Sequence, residues 1–203
     1  MIDKLSKNVL KILNDMKKIL DLTGTESAYW TKVANDYAPK YAMQVNDFRV
    51  YEKDNCITFN SSNRNTYVFS NFYPCRLLYN GIYFHSSEQL YFYLCTTTKP
   101  EIQRLILEQP NALSVKKLHI DYSDRNPDFY QTRNKIMYTV LKVKFEQCPE
   151  YRKSLLETGD KDILEFAYWW DLYWGAATTK NSKYYVGINA LGRLHMEIRN
   201  KNN

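Results

Sequence analysis

Among the carboxylates of this chain, Glu88 has the setting that most invites chemistry. It stands at the second position of a helix opened by Ser86-Ser87-Glu88-Gln89 and continued by the apolar run Leu90-Tyr91-Phe92-Tyr93-Leu94-Cys95. A carboxylate at the start of a helix buried on all sides suits a general acid or base held rigidly in a pocket. The same position also suits an acidic residue that only complements the helix dipole, for about 0.3–1 kcal/mol. A second carboxylate, Asp171, lies in the segment FAYWWDLYWG, Phe166 to Gly175, where six aromatic residues surround it. An aspartate amid so much apolar surface must be paired, exposed or shifted in pKa. The rings around it can form a platform for a flat ligand, each base stack contributing about 1–3 kcal/mol, or an aromatic core turn that Asp171 caps. A third element is the polar turn Phe69-Ser70-Asn71-Phe72, whose Asn71 amide suits either a ligand or closure of the turn itself.

Other chemistries lack their residues. The chain has no Walker loop, no G-x-G-x-x-G, no H-E-x-x-H and no G-x-S-x-G elbow. Three histidines, His85, His119 and His195, argue against a multi-histidine metal site. Cys56, Cys75, Cys95 and Cys148 form no C-x-x-C pair, which is consistent with free thiols in a reducing cytoplasm. No metal and no cofactor are expected. The net charge of +6 permits an anionic partner without specifying one. The first 55 residues hold nine Lys/Arg against eight Asp/Glu, so nearly all of the excess falls later. Lys180, Lys183, Arg193, Arg199 and Lys201, close to aromatic residues, suit either a DNA or RNA backbone or a solvated basic face. No run approaches the roughly 20 apolar residues of a membrane helix, and no membrane partner is expected.

The elements that must position these groups read as follows. A chain of 203 residues with 44% hydrophobic and 25% charged residues is long enough for one ordinary core. Leu5, Val9, Ile12, Leu13, Met16, Ile19 and Leu20 recur at helical spacing, with Gly24 as a stop, and residues 26–50 continue weakly helical. The pattern changes near Asn55: CITFN, TYVF and CRLLYNGIYF are β-branched and aromatic, and Asn80-Gly81 signals a two-residue hairpin. Ser86 at the N-cap and Gln89 three residues on make a capping box. Helices follow over Glu101–Gln109, Asp128–Gln147, Glu150–Thr158 and LGRLHMEIRNK. In the second of these Ile136, Met137, Val140, Leu141 and Phe145 form the apolar stripe, and Lys135, Lys142 and Lys144 lie elsewhere. The class is α+β, predominantly helical, with a small β-hairpin or sheet: an N-terminal helical extension over 1–54 and one domain over 55–203.

Taken in order, these pieces resemble the NADAR family, the YbiA-like N-glycosidases. Phe69-Ser70-Asn71-Phe72 matches its F-S-N-F, Ser87-Glu88 its S-E-H helix, and Lys144-Phe145-Glu146-Gln147 its K-F-x-Q. Leu155 to Gly159 matches L-L-x-T-G, Ile163-Leu164-Glu165 resembles L-x-E, Asp171 to Gly175 matches D-x-x-W-G, and Gly187 to Gly192 matches G-x-N-x-L-G. The resemblance covers residues 57–199. It implies a mostly helical domain that hydrolyses an N-glycosidic bond, in ADP-ribose attached to guanine or in ribosylamino-pyrimidine intermediates of riboflavin synthesis. On that footing Glu88 and Asp171 are the candidate catalytic carboxylates. Glu88 would activate water or stabilise an oxocarbenium-like charge. Phe72, Tyr173 and Trp174 would wall or stack on the base, Asn71 and Asn189 would bind ribose or phosphate oxygens, and amides near Gly175 or Gly187 would bind phosphate.

Three positions depart from the family's S-E-H-x-x-Q-A-x-K. Its His is Gln89 here, its Gln is Phe92, and its Lys, a candidate amine nucleophile, is Cys95. Positions 88, 92 and 95 share one helical face, so Phe92 and Cys95 are expected to line the pocket. Cysteine forms no imine; it either attacks as a thiolate or is an inert packing residue. The Gly-Arg that family members tend to carry before the long helix is replaced near Leu118-His119, and Thr178 to Tyr185 lengthen the loop after Trp174-Gly175. Two functions remain open: an N-glycosidase acting on an ADP-ribosylated base or related phosphoribosyl nucleotide, free or carried by DNA or RNA, and a catalytically impaired module that binds or senses ADP-ribose.

Overall fold

A computed structural model describes residues 49–167, 171–178 and 183–203. The helix expected over the first 24 residues, the weakly helical stretch after it up to residue 48, the rings of 168–170 and part of the lengthened loop lie outside those residues. Two compact units are present: Met1–Cys56 with Phe166–Ala190, and Ile57–Glu165 with Leu191–Asn203.

The larger unit begins with strand β2 (Cys56–Phe59), which pairs with β5 (Asp162–Glu165). A hairpin of β3 (Pro74–Tyr79) and β4 (Ile82–Ser86) follows. Its turn is Asn80-Gly81, with φ of 48° and 79° at the two positions, the left-handed pair that a tight hairpin requires. The chain then runs directly into α1 (Ser87–Cys95), α2 (Pro100–Leu107) and α3 (Ala112–Lys117). Each start has its own cause. The Ser86 hydroxyl accepts the Gln89 N–H at 3.3 Å for α1, Pro100 occupies the first turn of α2, and the Asn111 side chain accepts the Ser114 N–H at 2.9 Å for α3. After a 3₁₀ turn at Tyr122–Asp124 come α4 (Phe129–Gln147), α5 (Pro149–Leu156) and finally α6 (Ala190–Lys201). The α+β class is as expected, and α3 is a helix that six residues without long periodicity do not announce.

Two expectations are corrected here. Gln89 does not reach back to the Ser86 N–H. Its Oε1 accepts from the His85 N–H (3.0 Å) and its Nε2 donates to the Ile106 C=O (3.0 Å), tying β4, α1 and α2 together. Lys144 does not lie off the α4 stripe. Phe129, Arg133, Met137, Val140 and Lys144 are all buried at helical spacing, so the stripe carries two cations. The polar heart of this unit is His195 of α6, wholly buried, with Nδ1 2.6 Å from the Tyr151 hydroxyl and rings of Phe59 and Phe69 edge-on to it. Burial holds its imidazole well below the usual histidine pKa, and the Lys144 charge adds to that.

In the smaller unit β1 (Arg49–Glu52) pairs antiparallel with β6 (Tyr184–Gly187), Arg49 opposite Gly187. β1 lies before the boundary expected after residue 54, and its ladder partner arrives more than 130 residues on.

Candidate active site

The approach to Glu88 is built from the backbone. The Glu88 N–H donates to the Asn71 C=O at 3.0 Å, so the Phe69–Phe72 turn is clipped to the first turn of α1. Lys144 holds that turn from behind, its Nζ donating to the carbonyls of Val68 (2.7 Å) and Ser70 (2.9 Å). The Ser70 hydroxyl accepts the Phe72 N–H at 3.1 Å, and the Tyr67 hydroxyl donates to the Phe72 C=O at 2.8 Å. Glu88 and Asn71 are thereby fixed side by side, 5% and 8% exposed. The Asn71 Nδ2 faces the Met137 sulfur at 3.5 Å, while its Oδ1 is buried with no donor in reach. Leaving a buried acceptor bare costs about 1–3 kcal/mol, which a ligand hydroxyl or N–H would recover.

Positive charge collects on the same face of α1. Lys116, at the end of α3, places Nζ 3.7 Å from Glu88 Oε1, and the lysine is largely exposed, so the pair itself contributes little stability. Phe92, one turn beyond Glu88, has Lys116 Nζ 5.7 Å and the Arg125 guanidinium 5.6 Å from its ring centre. Cys95, a further turn on, is wholly buried, and burial pushes its thiol up to about 12 despite the Tyr91 hydroxyl and the Arg125 charge. A thiol so buried and held in its neutral form suits packing better than nucleophilic attack. Of the residues expected at the site, Asn71, Phe72, Glu88, Phe92 and Cys95 belong to this unit, with Phe72 half-buried.

Asp171, Tyr173, Trp174, Gly175, Gly187 and Asn189 belong to the smaller unit. There Asp171 Oδ1 accepts the N–H groups of Tyr173 (3.2 Å) and Trp174 (3.0 Å), the capping role weighed against a catalytic one. Tyr173 is buried against Ile188 and Ala190, so its ring offers little face to a base; Trp174, edge-on to it at 5.0 Å, is only partly buried. The Gly175 N–H, expected to be open to phosphate, donates to the Asp171 C=O at 3.1 Å. Gly187 is there for space. A Cβ on it would overlap the Gly175 carbonyl oxygen and stand 2.7 Å from Ala176 Cα. Asn189 is buried in the left-handed region (φ 52°), its N–H donating to the Gly175 C=O at 3.1 Å.

Residues of the basic tail are also spent on structure. Arg199 is 4% exposed and donates to the Thr158 hydroxyl and the Lys161 C=O, both at 2.8 Å, and Lys201 pairs with Glu197 at 2.7 Å. Lys116, Arg125 and Lys144 were not among the expected site residues. The first two sit in a short helix and a turn with no periodicity to single them out, and Lys144 looks like any other lysine of α4. A surface cavity lined by Leu94, Thr97, Asn126, Asp128, Thr132 and Lys135 contains none of the residues discussed so far for binding. Among the described residues no cluster of three or more His, Cys, Asp or Glu is placed to hold a metal, and no helix is long and apolar enough to cross a membrane.

The comparisons with known proteins agree with the sequence motifs. A riboflavin biosynthesis protein of Vibrio vulnificus (strain YJ016) is 28% identical over 144 residues, which are 70% of this chain but 37% of that protein. The chain thus spans little more than a third of the length of the curated relative it matches. The NMR structure of the Escherichia coli protein YbiA superposes with a TM-score of 0.62 at 26% identity, covering 73% of this chain and 85% of that one. The NADAR domain model matches residues 58–201, well over half of the sequence, and the chain belongs to the NADAR domain family.

Proposed function

We propose that the protein is an N-glycosidase that hydrolyses the bond between ribose and a base, in an ADP-ribosylated base such as guanine or a related phosphoribosyl nucleotide. The observation that carries the proposal is the backbone link between two buried residues: Glu88, a carboxylate residue 5% exposed, whose N–H donates to the C=O of Asn71, an amide whose Oδ1 has no donor among the described residues. In the reaction the C1′–N bond breaks, its electron pair leaves with the base, and positive charge develops at C1′ and the ring oxygen. The Glu88 carboxylate stabilises that charge and takes a proton from the attacking water, while the departing base nitrogen is protonated from solvent. Asn71 Oδ1 accepts a ribose hydroxyl and fixes the sugar against Glu88. A catalytically impaired ADP-ribose-binding module is the second function, favoured by one observation: the position of the family's helix lysine holds Cys95, with its thiol pushed up to about 12.

Mass spectrometry separates the two. ADP-ribosylated guanine in DNA, and in parallel the riboflavin-pathway ribosylamino-pyrimidines, are incubated with wild type and Glu88→Gln. An N-glycosidase releases free base or ADP-ribose, and Glu88→Gln lowers the rate by roughly 10²–10⁴-fold. Absence of turnover with every substrate at high enzyme concentration refutes the hydrolase and leaves the binding module.

A further inference from the structure

Arg125 is held like a ligand-binding arginine without its ligand. Its guanidinium carbon lies 4.5 Å from the Phe129 ring centre, 4.6 Å from Tyr122 and 5.6 Å from Phe92. Three rings thus surround the guanidinium, and cation–π attraction to them leaves its N–H groups available as donors. Its Nε is buried without an acceptor, and among the described residues no carboxylate pairs with it. The side chain is not there by slack in the loop. The next residue, Asn126, sutures the loop to the end of α1: its N–H donates to the Cys95 C=O (2.7 Å) and its Nδ2 to the Leu94 C=O (2.9 Å). Its Oδ1 accepts the Thr97 N–H and hydroxyl, both at 2.8 Å. Arg125 is thereby fixed beside Phe92, whose ring also carries Lys116, the ion-pair partner of Glu88.

We infer that Arg125 and Lys116 form an anion subsite next to Glu88, which takes the phosphate of a small phosphorylated ribose. The fork of Arg125 supplies paired donors to the phosphate oxygens, and Lys116 adds a mobile charge from the rim. Two cations beside aromatic rings, of which only Lys116 has a carboxylate partner among the described residues, fit a phosphate monoester or diphosphate better than a neutral sugar, because only an anion offsets the Arg125 charge. The subsite rests on the N-glycosidase proposal for its place in the reaction, but binding alone tests it.

Calorimetry with the full chain measures ADP-ribose and ribose 5-phosphate against adenosine and ribose, in wild type, Arg125→Gln, Arg125→Lys and Lys116→Gln, with circular dichroism to confirm folding. Phosphorylated ligands bind wild type; Arg125→Gln and Arg125→Lys raise Kd by roughly tenfold or more, and Lys116→Gln raises it by roughly three- to fivefold. Arg125→Lys keeps the charge but not the fork, so a loss in that variant cannot be ascribed to charge alone. Equal affinity of wild type and folded Arg125→Lys and Arg125→Gln for ADP-ribose overturns the subsite, as does absence of binding of either phosphorylated ligand to wild type. An unmodified single-stranded DNA oligonucleotide distinguishes the phosphate source: Arg125-dependent binding of the oligonucleotide without Arg125-dependent binding of ADP-ribose also overturns it. Arg125-dependent binding with no base release sustains the subsite and refutes the hydrolase. Glu88-dependent release with KM unchanged in Arg125→Gln does the reverse.

Discussion

Replacing Lys144 by Met should change how stability depends on pH more than it changes stability at neutral pH. Lys144 is wholly buried, donates to the carbonyls of Val68 and Ser70, and has the Tyr151 ring centre at 4.7 Å. Among the described residues no carboxylate pairs with it, and burial lowers its pKa from 10.5 to about 8, against the opposing influence of the Cys75 and Cys148 thiols. The folded-state pKa is depressed, so between about pH 8 and pH 10.5 the unfolded chain holds a proton that the folded chain has released. Stability contributed by this group therefore rises with pH through that window, by roughly 1 kcal/mol at pH 9 and roughly 2–3 kcal/mol at pH 10. At pH 7, Lys144→Met removes the cost of a buried charge but strips two carbonyls of their donor, about 1–3 kcal/mol each, and these effects oppose each other. The assay is urea unfolding of both proteins at pH 7, 8, 9 and 10. The buried Tyr151 also titrates at the high end, with a raised pKa that works in the opposite direction and cancels in the difference, whereas Cys75 and Cys148 are coupled to Lys144 and do not cancel fully. Wild type should gain on the variant by about 2–3 kcal/mol from pH 7 to pH 10. Parallel curves would refute the claim that Lys144 is a buried cation, and with it the account of how the Phe69–Phe72 turn is held.

Two further outcomes follow from packing. Gly187→Ala puts a methyl into the Gly175–Ala176 backbone and should cost about 1–3 kcal/mol by chemical denaturation; an unchanged midpoint would show that those segments do not approach as closely as described. Cys95, wholly buried and with its thiol near 12, should resist iodoacetamide at pH 8 in the native protein while the partly exposed Cys56 and Cys75 are alkylated, as peptide mapping would show. Labelling of Cys95 without unfolding would restore it as a candidate nucleophile.

Much of the frame around Glu88 was legible because it is local. Ser86 caps α1 three residues before the amide it satisfies, Asn80-Gly81 adopts the backbone that only such a pair takes readily, and LYFYLC is too apolar to face water. The reciprocal half of the capping box failed for a tertiary reason: Gln89 found better partners at His85 and Ile106, and the Ile106 carbonyl comes from a different helix. Likewise the burial of Tyr173 and the capping by Asp171 decided between readings that spacing left open.

Sequence by itself determined which residues can do chemistry and in what order they occur: one carboxylate on a capped helix, an amide two residues into a Phe-bounded turn, and family motifs in series from Phe69 to Gly192. It did not determine what the cations do. Lys142 is exposed and pairs with Glu146 at 3.8 Å, while Lys144, two residues on, is wholly buried, since two helical steps turn a side chain through about 200° and only the packed neighbours fix which side is inside. Lys116 and Arg125 acquire a role only because α3 and the loop sutured by Asn126 bring them to Phe92 and Glu88 from positions remote in sequence. Charge acts through space, so the +6 counted along the chain has local meaning only where folding gathers cations, as it brings Lys116 and Arg125 to Phe92.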